Sequence, residues 1–490
     1  MEAINGNGRG KVQRPIKVLQ FGEGNFLRAF ADYMIDIANE KTDLNAGIVL
    51  VKPIPFGSLD AFHAQDCLYT VLLRGLVDGV PTEQTRLITS VQDAVGAYEE
   101  YEKYSGYAKL DTLRYIISNT TEAGIVLDKN DRFDLCPPNT YPGKLCKFLF
   151  ERAEAFDYAQ DKGLIILPVE LIDDNGIHLK ECVTELAKEW HLGERFLDWL
   201  DSACIFTSTL VDRIVTGAIR DEKEREKAWE KLGYQDNLLV TGEPFGLWVI
   251  ESPRDLSDEL PFPQCGLPVL YTDSQKPYKQ RKVRILNGAH TSFVPAAFQC
   301  GYDIVLEAMG DPLIKNFMQK TLYDEVIPTL ALPKDDLLSF AEAVTGRFEN
   351  PFIRHRLLDI CLNCVSKWRA RCMPSLLCYV EKFGTLPERL TFSLASLMAL
   401  YHGGKIENGT LTCKRGEEAY TLKDDANVLA FFAEGNGKNA NTLVHDFLSS
   451  EVFWGQDLTA VPGLEASVLG SYKDILARGM KAVLNDRFGG

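Results

Sequence analysis

The sequence has little of what membrane-bound and nucleic-acid-binding proteins need. No apolar run approaches the ~20 residues that a membrane-spanning helix requires. The first residues, MEAINGNGRGKVQ, are polar and contain no apolar segment of the kind found in secretory signals. Positive charge is also scarce, because 53 Lys and Arg residues are outnumbered by 69 Asp and Glu residues, for a net charge of −16. We therefore expect a cytoplasmic protein with no membrane and no nucleic acid among its partners.

Cysteines are present, but they form no recognisable disulfide or metal pattern. Twelve are scattered over the chain, and without an export signal they are expected to be reduced. The one cluster comprises Cys361, Cys364, Cys372 and Cys378. Its first pair has the spacing of a zinc knuckle, but the later spacings do not supply the second pair that such a site needs. We interpret the cluster as buried structural thiols rather than a metal or redox site, and no metal is expected.

Two domains are expected, because 490 residues exceed what a single hydrophobic core usually supports. In the first half, short apolar runs alternate with amphipathic helical stretches. The runs lie at 16–21, 47–51, 114–119, 163–170 and 203–208, and clear helical stretches lie at 26–40 and 180–191. Continuous apolar strands separated by helices are typical of a parallel sheet covered on both faces. The pattern predicts a Rossmann-like, doubly wound α/β domain over residues 1–277.

The remaining residues, 278–490, have mainly helical periodicity. Helical segments are predicted at 278–298, 302–329, 335–346, 351–380, 386–402 and 440–486. A small hairpin is the exception, with strands at 410–413 and 419–422 around the turn KRGEE. We expect a mainly α-helical domain here that carries the substrate-binding and catalytic groups.

A glycine-rich turn follows the first predicted strand directly. Gly22 permits a tight turn, and Gly24 lets a pyrophosphate approach the backbone at the start of the next helix. The third glycine of the usual dinucleotide fingerprint is absent, because Leu27 stands at its position. Such a pair of glycines is often only a turn, but the strand–turn–helix context favours dinucleotide binding. Arg28, one turn into the helix, is either a phosphate ligand or an exposed helix cation.

The end of the second strand leaves the choice of cofactor open. An acidic residue that binds the ribose 2′-hydroxyl is expected there, but the strand ends in Lys52 followed by Pro53. Lys52 suggests a 2′-phosphate and therefore NADP. Pro53 changes the direction of the chain at this corner, so Lys52 need not point to the ribose. The residues thus predict a dinucleotide cofactor without deciding between NAD and NADP.

One short segment, 281–293, carries Lys282, Asn287 and His290 in an otherwise apolar frame. In an α-helix, Asn287 lies about 140° and His290 about 80° around the axis from Lys282, so the three share one side. Hydride transfer between a nicotinamide and an alcohol carbon needs a base for the hydroxyl proton, which a partly desolvated Lys can supply. Asn287 can then donate to the developing alkoxide, and His290 can orient the substrate. The alternative is a surface Lys, a capping Asn and a hydrogen-bonded core His.

These motifs together resemble the mannitol dehydrogenase family of polyol-specific long-chain dehydrogenases. The resemblance runs along most of the chain, through QFGEGNFLRAF at 20–30, QDCLYTV at 65–71, SNTTEAGI at 118–125, TLVDRIVTG at 209–217, EPFGLWVIE at 243–251, the Lys-Asn-His segment and RFENPFIRH at 347–355. Within the family, the sequence is most similar to the members that act on D-tagaturonate. The resemblance implies NAD(H)-dependent, metal-independent interconversion of D-tagaturonate and D-altronate in hexuronate (galacturonate) breakdown.

The resemblance also implies roles for individual residues. Lys282 is expected to be the general acid/base, with Asn287 and His290 holding and polarising the reacting oxygen. Asp212 and Arg213 are expected near the substrate. The implied cofactor-binding residues are Gly22, Gly24, Asn25, Phe26, Arg28, Lys52, Asn119, Thr120 and Glu122.

Two departures from the family pattern concern the substrate. Polyol members carry Asp-Asn where this sequence has Glu170-Leu171, so the oxyanion contact of that Asn must come from Asn287, His290 or another donor. An Arg that polyol members carry after the NP motif aligns with Asp359 here. These two changes suit an acid rather than a polyol as the substrate.

A uronate carboxylate needs a cationic partner, and the segment after the NP motif offers several. Lys367 is retained from the family pattern, and Arg371 follows it by one helical turn, so both share a helix face. His355 and Arg354 are further candidates in the same stretch. The alternative for each is a solvated cation on a helix surface.

Three other functions are compatible with the same scaffold. Fructuronate reductase and polyol dehydrogenase belong to the same family, and Glu170-Leu171 argues against both. A non-catalytic sugar-acid binding protein would not need a base such as Lys282. We expect a small-molecule sugar acid as the partner, and a monomer or small homo-oligomer.

Overall fold

The apolar runs of the first half form strands of one parallel sheet, which confirms the predicted Rossmann-like domain. The computed structural model describes residues 2–6, 10–77, 79–121 and 123–489. The chain divides into two units, the first formed by Met1–Arg74 and Thr82–Gln275, the second by Gly75–Pro81 and Lys276–Gly490. Among the described residues, no helix combines the length and the apolarity needed to cross a membrane.

The strands of the described residues are numbered in the order in which the chain forms them. They are β1 Ile16–Phe21, β2 Gly47–Lys52, β3 Tyr69–Val77, β4 Val80–Ile88, β5 Val91–Gly96, β6 Tyr115–Ser118, β7 Ile165–Pro168, β8 Ile205–Phe206, β9 Ser208–Asp212, β10 Val215–Gly217, β11 Val240–Gly242, β12 Leu247–Glu251, β13 Val269–Thr272, β14 Lys405–Glu407, β15 Thr410–Arg415 and β16 Glu418–Leu422.

The α-helices are distributed unevenly between the two halves. Those up to residue 275 are α1 Asn25–Leu27, α2 Tyr33–Lys41, α3 Asp60–Ala64, α4 Tyr101–Gly106, α5 Tyr141–Ala155, α6 Asn175–Glu189, α7 Glu194–Ala203 and α8 Glu222–Leu232. Those that follow are α9 Lys276–Arg281, α10 Gly288–Gln299, α11 Val305–Met309, α12 Pro312–Lys320, α13 Lys334–Phe348, α14 Leu357–Ile360, α15 Cys364–Arg371, α16 Met373–Phe383, α17 Glu388–Leu400, α18 Ala426–Glu434, α19 Ala440–Leu448, α20 Glu451–Trp454, α21 Leu464–Arg478 and α22 Met480–Phe488.

Tighter and wider helical turns link several of these helices. Turns of π-helix cover Arg28–Asp32, Lys282–Asn287 and Thr321–Val326. Short 3₁₀ turns cover Tyr107–Lys109, Gln160–Lys162, Pro263–Cys265, Ile327–Thr329 and Leu458–Ala460. The first π turn joins α1 to α2, so one continuous helical segment runs from residue 25 to residue 41.

The main sheet has the strand order β5-β2-β1-β6-β7-β8, with every neighbouring pair parallel. Counted along the chain, this is the order 3-2-1-4-5-6 of a dinucleotide-binding Rossmann sheet. The strand order reverses between β1 and β6, and ligands of such sheets bind outside the carboxyl ends of the strands at this point. All residues of β2, β6 and β7 are buried, as expected for a sheet covered on both faces.

The second unit is mainly helical, as the sequence predicts. At its centre, α17 is buried around its whole circumference from Leu390 to Leu400 and packs against α10 and α21. A helix that is apolar on every side belongs in a core. The predicted hairpin is confirmed as β15 and β16, and the short strand β14 extends it to three antiparallel strands.

The turn after β1 requires glycine at its first position. Gly22 has φ +117, and its backbone N–H donates to the carbonyl of Val51 at 2.9 Å. A Cβ atom at Gly22 would lie 3.2 Å from the carbonyl oxygen of Asn119. Gly24 differs, because its φ is −68 and a Cβ there would meet nothing within 4 Å. Backbone conformation therefore explains Gly22, whereas Gly24 has an ordinary φ and open space beside it.

We expect Gly22→Ala to lower the free energy of unfolding by ~1–3 kcal/mol, because an L side chain is strained at this φ. Gly24→Ala is the matched control in the same turn and should change it by less than about 0.5 kcal/mol. Urea denaturation followed by circular dichroism measures both. Equal stabilities of the two variants would contradict this account of the turn.

Candidate active site

The predicted cofactor residues of the first unit meet where the order of the sheet reverses. Gly22 follows β1, and Asn119 and Thr120 follow β6. The backbone N–H of Asn119 donates to the carbonyl of Phe21 at 3.1 Å, which holds the second loop against the end of β1. The backbone amides at the start of the helical segment from Asn25 also lie at this edge. Glu122 lies outside the described residues.

Glu170 fixes the loop after β6, a role that the sequence does not reveal. Its carboxylate accepts hydrogen bonds from the backbone N–H and the hydroxyl of Thr120, at 2.9 and 3.0 Å, and from Ser118 Oγ at 3.1 Å. Burial raises the pKa of Glu170, while these hydrogen bonds lower it in part. The next residue, Leu171, is 62% exposed. The departure from Asp-Asn thus replaces an amide donor by an exposed apolar side chain.

Arg28 supports the turn from beneath. The residue is buried, and its guanidinium donates to the carbonyl of Leu238 and to Asn25 Oδ1, the latter at 2.6 Å. It also lies over the rings of Phe62 and Tyr69, with 5.6 and 5.2 Å between Cζ and the ring centroids. Burial lowers the pKa of Arg28. Burial rules out the exposed cation and the contacts indicate that Arg28 orients Asn25, while its expected role as a phosphate ligand stays a prediction.

Phe26 and Lys52 also make defined contacts within the first unit. Phe26 stacks on Phe30 with ring centroids 4.9 Å apart, so it packs on the core cluster beneath the turn. Lys52 is buried at the end of β2, and its Nζ lies 2.6 Å from Glu99 Oε1. The positive charge of Lys52 is therefore already paired.

Asp212 and Arg213 follow one another at the end of β9 and are both buried. Arg213 donates to the backbone carbonyls of Phe245, Ala29 and Pro244 at 2.9, 2.6 and 3.2 Å. Burial lowers the pKa of Arg213 to about 10. Three carbonyl acceptors from two separate segments are the pattern of a structural tie, so the expected substrate role of Arg213 stays a prediction.

In the second unit, Lys282 and Asn287 are the first and last residues of a π turn. The backbone N–H of Gly288 donates to the carbonyl of Val283, five residues back, as a π turn requires. In an α-helix, Lys282 and Asn287 would be about 140° apart, but the wider π turn, which rotates less per residue, brings them closer to one face. The wider turn thus aligns the two polar groups better than the predicted α-helix would.

The π turn is anchored at both ends. Just before it, buried Arg281 pairs with Asp336 of α13 at 2.7 Å. Just after it, Gly288 lies against the end of α15, where a Cβ would be 3.3 Å from the carbonyl oxygen of Arg371. This close crossing lets Arg371 Nη1 reach Thr291 Oγ1 at 3.3 Å. The glycine of the LNGAH segment is therefore what brings a cation of α15 to the helix of His290.

His290 lies among aromatic rings. Its imidazole stacks on Phe348 with ring centroids 4.0 Å apart and meets His355 edge-on at 5.3 Å. Its Nε2 atom is buried and has no hydrogen-bond partner among the described residues. A buried polar atom without a partner is costly, and such atoms are often completed by a ligand.

Four cationic or titratable side chains surround His290. Burial lowers the pKa of His290 well below its ordinary 6.5, and His355, Arg347, Arg371 and Lys367 lower it further. His290 is therefore neutral at physiological pH and can donate or accept one hydrogen bond at each ring nitrogen, according to its tautomer. Arg347, at the end of α13, belongs to the RFENP segment, but no spacing signal in the sequence pointed to it.

Two of these cations, Lys367 and Arg371, form no salt bridge within the part of the chain that the structure describes. Lys367 Nζ donates instead to the carbonyl of Ile360 at 3.0 Å. Burial lowers the pKa of Lys367 and of Arg371, and the charge of Arg371 lowers that of Lys367 further. Arg354 lies nearby in sequence but is exposed. The charge of Asp424 offsets part of the lowering at Lys367, but partly desolvated positive charges that form no ion pair among the described residues favour the binding of an anion.

The four clustered cysteines are packed into the second unit. Cys361, Cys364 and Cys372 are buried, and Cys378 is partly buried. The thiol of Cys372 contacts the carbonyl of Gly288 at 3.6 Å, and burial raises its pKa. Among the residues with described positions, no three His, Cys, Asp or Glu side chains converge in a way that could hold a metal ion.

Comparison with known families matches both halves of the chain. Residues 16–262 match the mannitol dehydrogenase Rossmann domain, and residues 275–476 match the mannitol dehydrogenase C-terminal domain.

Relatives and solved structures agree with this match. An altronate oxidoreductase of Escherichia coli is 48% identical over 98% of this chain and 99% of its own, and one of Shigella flexneri is 47% identical over the same shares. A D-sorbitol dehydrogenase in substrate-free form has the same fold, with a TM-score of 0.78, 21% identity and coverage of 99% of this chain and 100% of that chain. Pseudomonas fluorescens mannitol 2-dehydrogenase, solved as a ternary complex with NAD and D-mannitol, has a TM-score of 0.67 at 22% identity, with 99% of each chain covered. The chain therefore belongs to the mannitol dehydrogenase family, with that family's Rossmann domain followed by its C-terminal domain.

Proposed function

We propose that the protein is an NAD(H)-dependent dehydrogenase that interconverts D-tagaturonate and D-altronate, in hexuronate breakdown. The observation that carries the sugar-acid substrate is the set of partly desolvated cations around neutral His290. Such a set needs an anion, all the more in a chain whose net charge is −16. Relatives named altronate oxidoreductase, at 47–48% identity over nearly the whole chain, support the same substrate.

The edge of the first unit fits a dinucleotide. Gly22 makes the tight turn, Gly24 leaves open space for a phosphate to approach, and the helical segment from Asn25 directs its free amides to the same edge. Asn119 and Thr120 border this edge from β6, held by Glu170. When bound, NAD(H) supplies or accepts the hydride of the reaction.

Lys282 exchanges the proton of the reacting hydroxyl in this proposal. In altronate oxidation, Lys282 would take up the O–H proton while bound NAD⁺ would accept the C–H hydride, and in tagaturonate reduction Lys282 would return that proton. Asn287, brought closer to the face of Lys282 by the π turn, donates to the oxygen while that oxygen carries negative charge. His290 is neutral and has a buried, unpartnered Nε2, so it can hydrogen-bond the substrate without adding a charge that titrates near pH 7.

In this proposal Lys367 and Arg371 hold the carboxylate of the substrate, Arg347 adds positive charge nearby, and His355, whose pKa burial lowers, adds a neutral imidazole. Lys367 and Arg371 lie one turn apart on α15, and Arg371 is directed toward α10 by its hydrogen bond to Thr291. Charge-assisted hydrogen bonds to a carboxylate are about twice as strong as neutral ones. An alditol would leave Lys367 and Arg371 without a counter-ion, so the acid is preferred.

Lys282→Ala should lower kcat for tagaturonate reduction by ~100-fold or more, because general acid catalysis typically contributes that much. The rate is measured as NADH oxidation at 340 nm, with tagaturonate, fructuronate and fructose as substrates for the parent enzyme. Full activity of Lys282→Ala would refute the proton-transfer role. Turnover of fructuronate or fructose alone would refute the substrate and favour fructuronate reductase or a polyol dehydrogenase.

Lys367→Gln and Arg371→Gln should each raise KM for tagaturonate by about tenfold or more, since a lost hydrogen bond to a charged group costs ~1.5–3 kcal/mol. The matched control is Arg369→Gln, which removes a cation from the same helix. Arg369 is exposed and lies beside Gly455. Initial rates measured at a series of tagaturonate concentrations give KM for each of the three variants. If Arg369→Gln raises KM as much as the other two, the effect is general electrostatics and not carboxylate binding.

A further inference from the structure

In a dinucleotide-binding sheet, the residues at the carboxyl end of β2 determine whether the adenosine ribose is bound with a 2′-hydroxyl or with a 2′-phosphate. An acidic side chain in this corner accepts a hydrogen bond from the 2′-hydroxyl of NAD, while a free cation accommodates the 2′-phosphate of NADP. Here the strand ends in Lys52, and no acidic residue follows it directly. From the sequence alone, this corner looks cationic.

The structure shows that the ammonium group of Lys52 is already occupied. Its Nζ donates to Glu99 Oε1 at 2.6 Å and to the backbone carbonyls of Phe56 and Gly57 at 3.3 and 3.2 Å. An ammonium has three donors, and these three acceptors use all of them. Only 3% of the Lys52 side chain is exposed. Lys52 therefore secures the loop after β2 and does not present a cation at the surface.

Glu99 is the charged group that this corner presents. It lies in the turn after β5, the strand next to β2, and the backbone N–H of Ala97 donates to the carbonyl of Lys52 at 3.1 Å. About half of its side chain is exposed, at 49%, and the hydrogen bond to Lys52 uses one of its two carboxylate oxygens. The Lys52 hydrogen bond holds the pKa of Glu99 below its usual value, so the carboxylate is ionised.

A second carboxylate reinforces the acidic character of the corner. Glu23, between the two glycines of the turn after β1, lies within electrostatic reach of Lys52; burial raises the pKa of Glu23 overall, and the charge of Lys52 offsets part of that rise. One ammonium thus faces two carboxylates here. The other cation that acts on Glu23, Arg28, is buried beneath the turn.

We infer that Glu99, supplied by the third strand of the sheet in place of the usual residue after the second, selects NAD(H) over NADP(H). This inference rests on the proposed dinucleotide cofactor and goes beyond it. The half-exposed carboxylate of Glu99, which keeps acceptor capacity beside its hydrogen bond to Lys52, accepts a hydrogen bond from the ribose. A 2′-phosphate of charge about −2 would instead meet this acidic corner, where the ammonium of Lys52 is already engaged.

Fluorescence titration of NADH and of NADPH, without any sugar present, tests this directly. The parent protein should bind NADH at least ~10-fold more tightly than NADPH, which corresponds to about 1.4 kcal/mol. Glu99→Gln should weaken NADH binding, strengthen NADPH binding and reduce the ratio of the two Kd values by ~10-fold or more. The matched control is Glu102→Gln, an exposed carboxylate three residues further on, which should leave the ratio unchanged.

An unchanged ratio in Glu99→Gln, or a parent protein that prefers NADPH, overturns the inference. A change of equal size in Glu102→Gln also overturns it, because long-range charge would then suffice. The result is separable from the proposed substrate, since no sugar is used: NADH can bind selectively even if tagaturonate is not reduced. If neither dinucleotide binds, the proposed cofactor fails and this inference fails with it.

Discussion

The positive charge gathered around a neutral imidazole is the constraint on which the site of the second unit depends. Burial against Phe348 lowers the pKa of His290 well below its ordinary value, and nearby His355, Arg347, Arg371 and Lys367 lower it further. Lys367 and Arg371 are desolvated like charges that repel one another, and an anion beside them would relieve that repulsion. These cations lie close together although the net charge of the chain is −16. A substrate carboxylate resolves the repulsion, which is why we regard the acid group as the feature that the site recognises.

Helix geometry makes the same site suitable for chemistry. A regular α-helix would leave Lys282 and Asn287 about 140° apart, whereas the π turn brings them closer to one face. The turn is held in place by the Arg281–Asp336 ion pair on one side and by the close crossing of α15 at Gly288 on the other. Turns of π-helix are rare and are frequent at functional sites, because the wider repeat re-aims side chains at the cost of regular hydrogen bonding. The irregular turn therefore lies where the proposed catalytic residues lie.

Most of the architecture was predictable from periodicity. The five strands β1, β2, β6, β7 and β8 are continuous apolar runs, and buried parallel strands have that signature. The sixth strand, β5, was missed because its sequence, VQDAVG, carries Gln92 and Asp93 in the middle. The hairpin of the second unit was found from its turn residues, whereas the π turn has no known sequence signal that separates it from an α-helix.

The residues that the sequence did not reveal act through tertiary contacts. Glu170 was seen only as a departure from the family pattern, but its carboxylate holds the loop after β6. Glu99 reaches Lys52 from a neighbouring strand 47 positions later, and a charge pair of that separation has no spacing rule. Arg347 lies within a family motif, yet its effect on His290 depends on the tertiary packing of α13. Residue type and spacing thus identified the candidate catalytic residues on one helix. The residues that contact them from other elements could be identified only from the three-dimensional structure.

The most direct test of the central claim compares D-altronate with its alditol, which carries CH₂OH in place of the carboxylate. The quantity is kcat/KM for oxidation by the unmodified enzyme with NAD⁺, measured at low and at high salt. If the cations around His290 bind the carboxylate, kcat/KM for the acid exceeds that for the alditol by about 100-fold or more at low salt. This ratio decreases as salt screens the charges. Equal kcat/KM values for acid and alditol, or a preference for the alditol, would contradict the account.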